Sequence, residues 1–95
     1  MTVGDLEECF EKFSGEYLNF SRLEKKRANR PDLHVFLLMD ELQPGSSDIV
    51  STATHDKFFI GVDLRKLAAV ITEEQVRELV WCGVHLDEES FAMFT

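Results

Sequence analysis

The spacing of the apolar residues changes along the chain, and this change restricts the fold more than any other feature of the sequence. Up to residue 43, apolar side chains recur every three or four positions, as on one face of a helix. Residues 49–62 and 84–94 instead contain short β-prone runs that alternate between two faces. The sequence therefore predicts an α+β fold, in which helices pack on one face of a small antiparallel sheet formed mainly by the C-terminal half. A chain of 95 residues supports one domain, here 1–95.

The first predicted helix covers residues 5–27. It begins with Asp5 as the N-cap and has a break near Gly15, because glycine is a poor helix former. Cys9 lies within the apolar stripe and is predicted to be a core residue rather than a reactive thiol. The stripe consists of Leu6, Cys9, Phe10, Phe13, Tyr17, Phe20 and Leu23.

A second helix is predicted over residues 31–43, where Pro31 suits the first helical position. Because residues 33–39 form a short apolar run, a buried strand is the alternative. The element is apolar almost all round, so it is predicted to lie centrally in the fold. Residues 43–48 have the Pro, Gly and Ser content of a loop, which ends the element.

A strand and a short helix follow in the second half. Residues 57–62 are predicted to form a strand with Phe58, Ile60 and Val62 facing inward. Phe59 then faces the other way, where either a helix covers it or it is exposed and is a candidate for contact with a partner. Asp63 is predicted to cap a helix that extends to residue 70.

The last predicted helix begins with a capping box and ends at a glycine. Thr72 and Gln75 can each satisfy a free backbone N–H of the first turn, and Gly83 suits the left-handed conformation after the last turn. Residues 84–86 and 91–94 are predicted to be short strands joined by the acidic turn 87–90. The last strand is expected to pair with residues 57–62.

Basic residues are concentrated in one segment of an otherwise acidic chain. The formal net charge is −8, yet residues 22–30 hold half of the ten basic residues and only one glutamate. Either these residues end a helix, whose macrodipole favours cations there, or they form a contact surface. The acidic body repels a phosphate backbone, so direct binding of nucleic acid is not expected. The five residues are Arg22, Lys25, Lys26, Arg27 and Arg30.

Motifs for catalysis and metal binding are sparse. Cys82 and His85 have a C-x-x-H spacing, and with His55 and Asp56 they could in principle form a zinc site. No second pair of ligands supports that site, and Cys82 with His85 lacks the third group that orients a catalytic pair. The five glycines form no phosphate-binding loop. The sequence therefore predicts no enzyme activity, no metal and no cofactor.

Acidic residues form the remaining candidate surface. Asp87, Glu88 and Glu89 are consecutive in the predicted turn. Such carboxylates either keep the protein soluble or steer it toward a basic partner, such as a nucleic-acid-binding protein whose groove they would occupy in place of phosphates. Together with the basic cluster and Phe59, they complete the set of predicted partner-binding residues.

The part of the chain from about residue 48 to 95 resembles small phage and prophage proteins of unknown function. The resemblance implies a phage-encoded accessory protein in a bacterial cytoplasm, where it would bind and block a host factor such as a defence complex. Lys57 and His85 depart from the acidic and the basic residue usual at those places, and no catalytic role is carried over. The resemblance is carried by His55-Asp56-Lys57-Phe58-Phe59, Val62-Asp63, Leu67-Ala68, Thr72-Glu73-Glu74, Cys82-Gly83-Val84 and Ala92-Met93-Phe94.

These observations predict a small acidic protein–protein interaction module. Its expected partner is a host protein or nucleoprotein complex. A homo-oligomeric structural or regulatory component of a phage assembly is the alternative, and a small metal protein or enzyme comes third. The first residues are acidic rather than typical of a signal peptide, and no apolar stretch is long enough for a membrane span, so a cytoplasmic location is expected.

Overall fold

The computed structural model describes residues 1–87 and 90–94. Four strands form one antiparallel sheet in the order β1-β2-β4-β3, and its buried side chains face the helices, so the predicted α+β fold is confirmed. Two 3₁₀ turns, Ser14–Glu16 and Phe20–Arg22, follow the first helix. The helices and strands are α1 (Val3–Lys12), α2 (Pro31–Leu42), β1 (Val50–Ala53), β2 (Lys57–Ile60), α3 (Leu64–Val70), α4 (Glu73–Cys82), β3 (His85–Asp87) and β4 (Ser90–Phe94).

The first helix is shorter than its apolar stripe. It ends at Lys12, so the predicted break near Gly15 is confirmed but the helix over 5–27 is wrong. The N-cap is Thr2 rather than Asp5: the Thr2 hydroxyl accepts the Asp5 N–H at 3.1 Å, and the Asp5 carboxylate accepts the Thr2 N–H at 2.9 Å. This reciprocal capping box places Asp5 in the first turn.

Residues 17–19 leave the helical path because they bond to the end of α4. The N–H groups of Leu18 and Asn19 donate to the carbonyls of Val80 and Trp81, at 3.2 and 2.9 Å. Both carbonyls belong to the last turn of α4, and that of Val80 also accepts the Gly83 N–H at 3.0 Å. Leu18 adopts φ = +60° to make this contact. This pairing supplies hydrogen-bond donors to the terminal carbonyls of α4. A first helix that continued through residues 18 and 19 would use those N–H groups for its own hydrogen bonds.

The second predicted helix is confirmed as α2, with Pro31 at its first position, and the strand alternative is wrong. One face is buried and contains His34, Val35, Leu38 and Met39. On the outer face, however, Leu33 is 45% and Leu37 43% exposed. The expectation of a central element is therefore wrong, because α2 packs only one side against the core.

The described part of the sheet has four strands, whereas three were predicted from the sequence. β2 pairs with β4 as predicted, with Phe58 opposite Met93 and Ile60 opposite Phe91. The added strand, β1, pairs with β2 through an irregularity between Val50 and Thr52, and all four of its residues are exposed. β2 ends at Ile60, so Val62 lies beyond the strand, although it packs against the core.

The two C-terminal helices have the predicted ends. The Asp63 carboxylate accepts the N–H groups of Arg65 and Lys66 and caps α3. Thr72 and Gln75 form the capping box of α4, and Gly83 follows its last turn with φ = +96°. Within the described part of the chain, no helix combines the length and the apolar character needed to cross a membrane.

Candidate functional site

The predicted basic cluster does not form a single free surface. Arg27 pairs with Glu41. Lys26 donates to the Leu23 carbonyl at 2.7 Å, and its ammonium lies 5.2 Å from the centroid of the Phe20 ring. Residues 23–30 are not helical, so the macrodipole interpretation of this cluster is wrong.

Lys25 and Arg30 are exposed and make no ion pair with any residue that the structure describes. The cluster is therefore divided. Arg22 and Arg27 are tied to carboxylates, Lys26 is held by a backbone carbonyl, and two cations remain for contact with a partner.

Arg22 belongs to a polar cluster around Glu16. One oxygen of the Glu16 carboxylate accepts hydrogen bonds from Arg22, Arg77 and the indole N–H of Trp81, each at 2.9 Å. The hydrogen bonds from Arg77 and Trp81 hold the pKa of Glu16 below its ordinary value. Both guanidinium groups also lie over the Trp81 ring, at 4.9 and 5.0 Å from its centroid. The cluster fixes the first 3₁₀ segment to α4, and no sequence pattern predicted it.

His34 anchors the other end of the basic segment. Its side chain is fully buried, and Nδ1 accepts the backbone N–H of Arg27 at 3.1 Å. Nδ1 is therefore unprotonated, so the ring is neutral with its proton on Nε2. Desolvation, followed by the charges of Arg27 and Lys26, lowers the pKa of His34. Nε2 has no hydrogen-bond partner among the described residues.

The structure does not bring together the four residues that could form a zinc site according to the sequence. His55 is exposed in the turn between β1 and β2, whereas Cys82 is buried at the end of α4. Burial, with a contribution from Glu78, raises the pKa of the Cys82 thiol to about 12. No group of three or more His, Cys, Asp or Glu side chains able to hold a metal occurs among the residues described. A protonated buried thiol is also a poor nucleophile.

Phe59 and Asp87 lie on the sheet face away from the helices, because both alternate with core residues on their strands. Phe59 is half-buried rather than exposed, and the Lys57 ammonium lies 5.3 Å from its ring centroid. Lys57 also pairs with Asp87. The charge of Asp87 is therefore already paired within the chain. Glu88 and Glu89, the other predicted acids, lie outside the described residues.

A groove of about 510 Å³ opens between α1 and β3. Phe10, Val80, Val84 and Leu86 contribute apolar side chains to it. Phe10 and Val84 belong to the buried core, so the groove is built on a packed support rather than on a loop. Its volume is that of a site for a small ligand or a short peptide segment.

Aromatic side chains form the far end of this groove. The Tyr17 hydroxyl donates to the Gly83 carbonyl at 2.9 Å and lies 3.4 Å from Nδ1 of His85. The His85 ring stacks on Phe94, with 4.7 Å between centroids and 20° between planes. Phe94 is nevertheless 59% exposed. Three aromatic groups are thus held in place by one another, with apolar surface left for contact.

Two glutamates lie on the α1 side of the groove. Glu7 and Glu11 are both exposed, and neither makes an ion pair with any described residue. They are spaced i, i+4 on the helix, where like charges repel each other. A cation placed between them would relieve that repulsion. The groove therefore combines an apolar floor with a negative rim that has no ion-pair partner among the residues described.

A larger depression, of about 760 Å³, lies between residues 22–27 and α4. Its lining contains four basic and three acidic side chains, so it has no clear preference for either sign of charge. The groove beside β3 has an apolar floor, and apart from its histidine the charged side chains among its described lining residues are all acidic. We therefore take the groove as the candidate functional site.

No local pattern in the sequence identifies this site. The apolar spacing instead predicted Phe10 and Tyr17 as part of one helical stripe. What brings the groove together is the position of β3 beside α1, which is a tertiary contact. One signal was available: Glu7 and Glu11 have no basic residue three or four positions away.

Comparison with known proteins assigns no family to the chain, since no protein-family model, curated protein or solved structure matches it.

Proposed function

We propose that this protein is a protein-interaction module that binds a basic segment of a partner in the groove between α1 and β3. The observation that carries the proposal is the rim formed by Glu7 and Glu11, which pair with no cation in the described part of the chain and lie above an apolar, aromatic floor. The floor rewards burial of an apolar side chain, by about 1.5–3 kcal/mol for a large one. The rim and the net charge of −8 select a positively charged partner and speed its approach.

The resemblance of residues 48–95 to phage proteins supports a host protein as that partner, in a bacterial cytoplasm. A nucleic-acid-binding protein is the class that fits best, because its basic surface already binds phosphates. An acidic module seated on that surface would compete with the nucleic acid and so inhibit the host factor. The proposed action is steric and electrostatic blocking, which requires no catalytic residue, metal or cofactor.

Charge reversal in the groove tests this proposal. The groove variant Glu7→Lys/Glu11→Lys is compared with Glu8→Lys/Asp40→Lys, whose exposed acids lie outside the groove lining. Each reversal adds two positive charges, so both double variants have a net charge of −4 instead of −8. The two variants therefore differ in where the charge is placed, not in its total.

The measurement is affinity capture from nuclease-treated bacterial lysate, quantified by mass spectrometry, after circular dichroism has shown that both variants are folded. We expect the wild type and the control variant to capture the same basic protein and the groove variant to lose it at least about tenfold. Equal capture by the two double variants, or no specific capture by the wild type, would refute the proposal.

A second candidate function is self-assembly, which the exposed edge strand β1 favours. All four residues of β1 are exposed and uncharged, and an edge strand without Lys or Pro is a template for pairing with another chain. This candidate predicts a concentration-dependent mass well above 10.9 kDa in light scattering. A constant monomer mass up to millimolar concentration would exclude it.

A further inference from the structure

The backbone of β3 borders the groove, and the sheet register determines which of its groups are free. The Thr54 N–H donates to the Lys57 carbonyl at 2.8 Å, so Lys57 directs its backbone groups toward β1. In an antiparallel sheet, successive residues bond alternately to the two sides. Phe58 and Ile60 therefore bond toward β4, to their partners Met93 and Phe91.

The same alternation extends to β3. Since Phe91 bonds toward β2, its neighbours Ser90 and Ala92 bond toward β3, to Asp87 and His85. Leu86 lies between those two residues and directs its N–H and C=O away from the sheet. Among the described residues, the N–H and C=O of Leu86 have no hydrogen-bond partner in a loop, a helix or a side chain.

The Leu86 side chain lies on the helix-facing side of the sheet. Leu86 is directly opposite Phe91, which is fully buried, and packs against the core while lining the groove. A residue of an added strand that pairs with Leu86 would have its side chain on this same side. That side chain would enter the groove.

We propose that the partner's segment binds as an added antiparallel β-strand on β3, with an apolar residue opposite Leu86 and a basic residue two positions away. The proposal rests on the groove's function as a site for basic segments and adds the binding mode and the residue pattern. Main-chain hydrogen bonds then supply affinity, and alternate side chains supply specificity.

The spacing of the α1 side chains supports this pattern. Residues two positions apart on a strand face are about 6.6–6.8 Å apart. Phe10 and Glu7 are spaced i, i+3 on α1, so their Cβ atoms are about 5–6 Å apart. An apolar side chain that contacts Phe10 therefore places a basic neighbour, two residues along, beside the carboxylate of Glu7. Glu11 lies one residue beyond Phe10 and is within reach of a long lysine.

The probe is an acetylated and amidated peptide of sequence Thr-Lys-Thr-Phe-Thr-Lys-Thr. Its central phenylalanine is flanked by a lysine two positions away on both sides, so the pattern is present whichever way the strand runs along α1. Two further peptides carry a single backbone N-methyl group. One has it on the phenylalanine, whose N–H would donate to Leu86, and the other on the following threonine, whose N–H would face away.

Binding is measured by isothermal calorimetry with the wild-type protein. We expect the methyl group on the phenylalanine to weaken binding about tenfold, and the methyl group on the threonine to weaken it by less than about twofold. We also expect the Glu7→Lys/Glu11→Lys variant to bind the unmodified peptide at least about tenfold less tightly than Glu8→Lys/Asp40→Lys does.

The outcomes separate the binding mode from the proposed function. If the unmodified peptide binds and depends on Glu7 and Glu11, but both methylated peptides bind alike, strand addition is refuted and the groove's function stands. If the unmodified peptide does not bind, or if both double variants bind it equally, strand addition in the groove and the groove's function are both refuted.

Discussion

Gly83 connects α4 to β3, and its replacement tests whether the structure has the correct geometry at the base of the groove. Gly83 has φ = +96°, and a Cβ built there would lie 2.7 Å from Cδ2 of Leu18. A left-handed conformation costs a non-glycine residue about 1–2 kcal/mol. Because Leu18 is 65% exposed, its side chain can move aside at little further cost. We therefore expect Gly83→Ala to lower the free energy of unfolding by about 1–2 kcal/mol.

The assay is urea denaturation followed by circular dichroism, with Gly45→Ala as the matched control. A Cβ at Gly45 meets nothing within 4 Å, and its backbone is not in the left-handed region. The control should therefore leave stability unchanged or raise it by up to about 1 kcal/mol. In thermal melts, each kcal/mol lost should lower the midpoint by about 4–8 °C. Equal stability of the two variants, within about 0.3 kcal/mol, would refute the geometry assigned to Gly83.

Three further predictions concern the polar and sulfur groups. Because Glu16 has a lowered pKa, its contribution to stability is present at neutral pH and is lost as pH falls through that pKa. Fluorescence of Trp81, the single tryptophan, should report the loss. The variant Glu16→Gln should abolish this transition. The pKa of His34 is also lowered, so as pH falls the unfolded chain binds a proton on this histidine before the folded chain does. The free energy of unfolding should therefore fall as pH drops below about 6.5 and level off near the pKa of the folded state. If the variant His34→Gln keeps the same pH slope, the prediction is contradicted. Cys82, with a pKa of about 12, should resist iodoacetamide at pH 8 and react once urea unfolds the protein; rapid labelling of Cys82 in the native state would show that the thiol is not buried.

Local signals in the sequence predicted those elements whose ends are set by nearby residues. The capping box at Thr72, the cap at Asp63 and the glycine at 83 each act within a few residues of the backbone they stabilise. Pro31 similarly fixes the start of α2. The alternation in residues 57–62 also predicted that Phe58 and Phe59 lie on opposite faces of the sheet.

Features that depend on distant contacts were not predictable in this way. The apolar stripe continued to Leu23, but the chain leaves the helix after Lys12 because Leu18 and Asn19 pair with carbonyls of α4 more than 60 residues away. The Glu16 cluster likewise joins residues from both halves of the chain. One sequence shows that such groups are present, but not which of them meet.

The candidate site follows the same rule. Its residues come from α1, the first 3₁₀ segment, α4, β3 and β4, so no short motif announces it. The predicted contact residues, by contrast, were chosen for local concentration of charge. In the structure several of these charges are paired within the chain, namely Arg22, Arg27 and Asp87. The candidate site was chosen instead because it places charged side chains that have no ion pair with any described residue beside apolar surface.

The most direct test of the groove is a titration of ¹⁵N-labelled protein with the Thr-Lys-Thr-Phe-Thr-Lys-Thr peptide, followed by two-dimensional NMR. We predict that the backbone amide signals of Glu11, Tyr17, His85 and Leu86 shift together and saturate at one peptide per protein. Amide shifts confined to β1 or to residues 22–30, or no saturable shift at all, would contradict the assignment of the groove as the binding site.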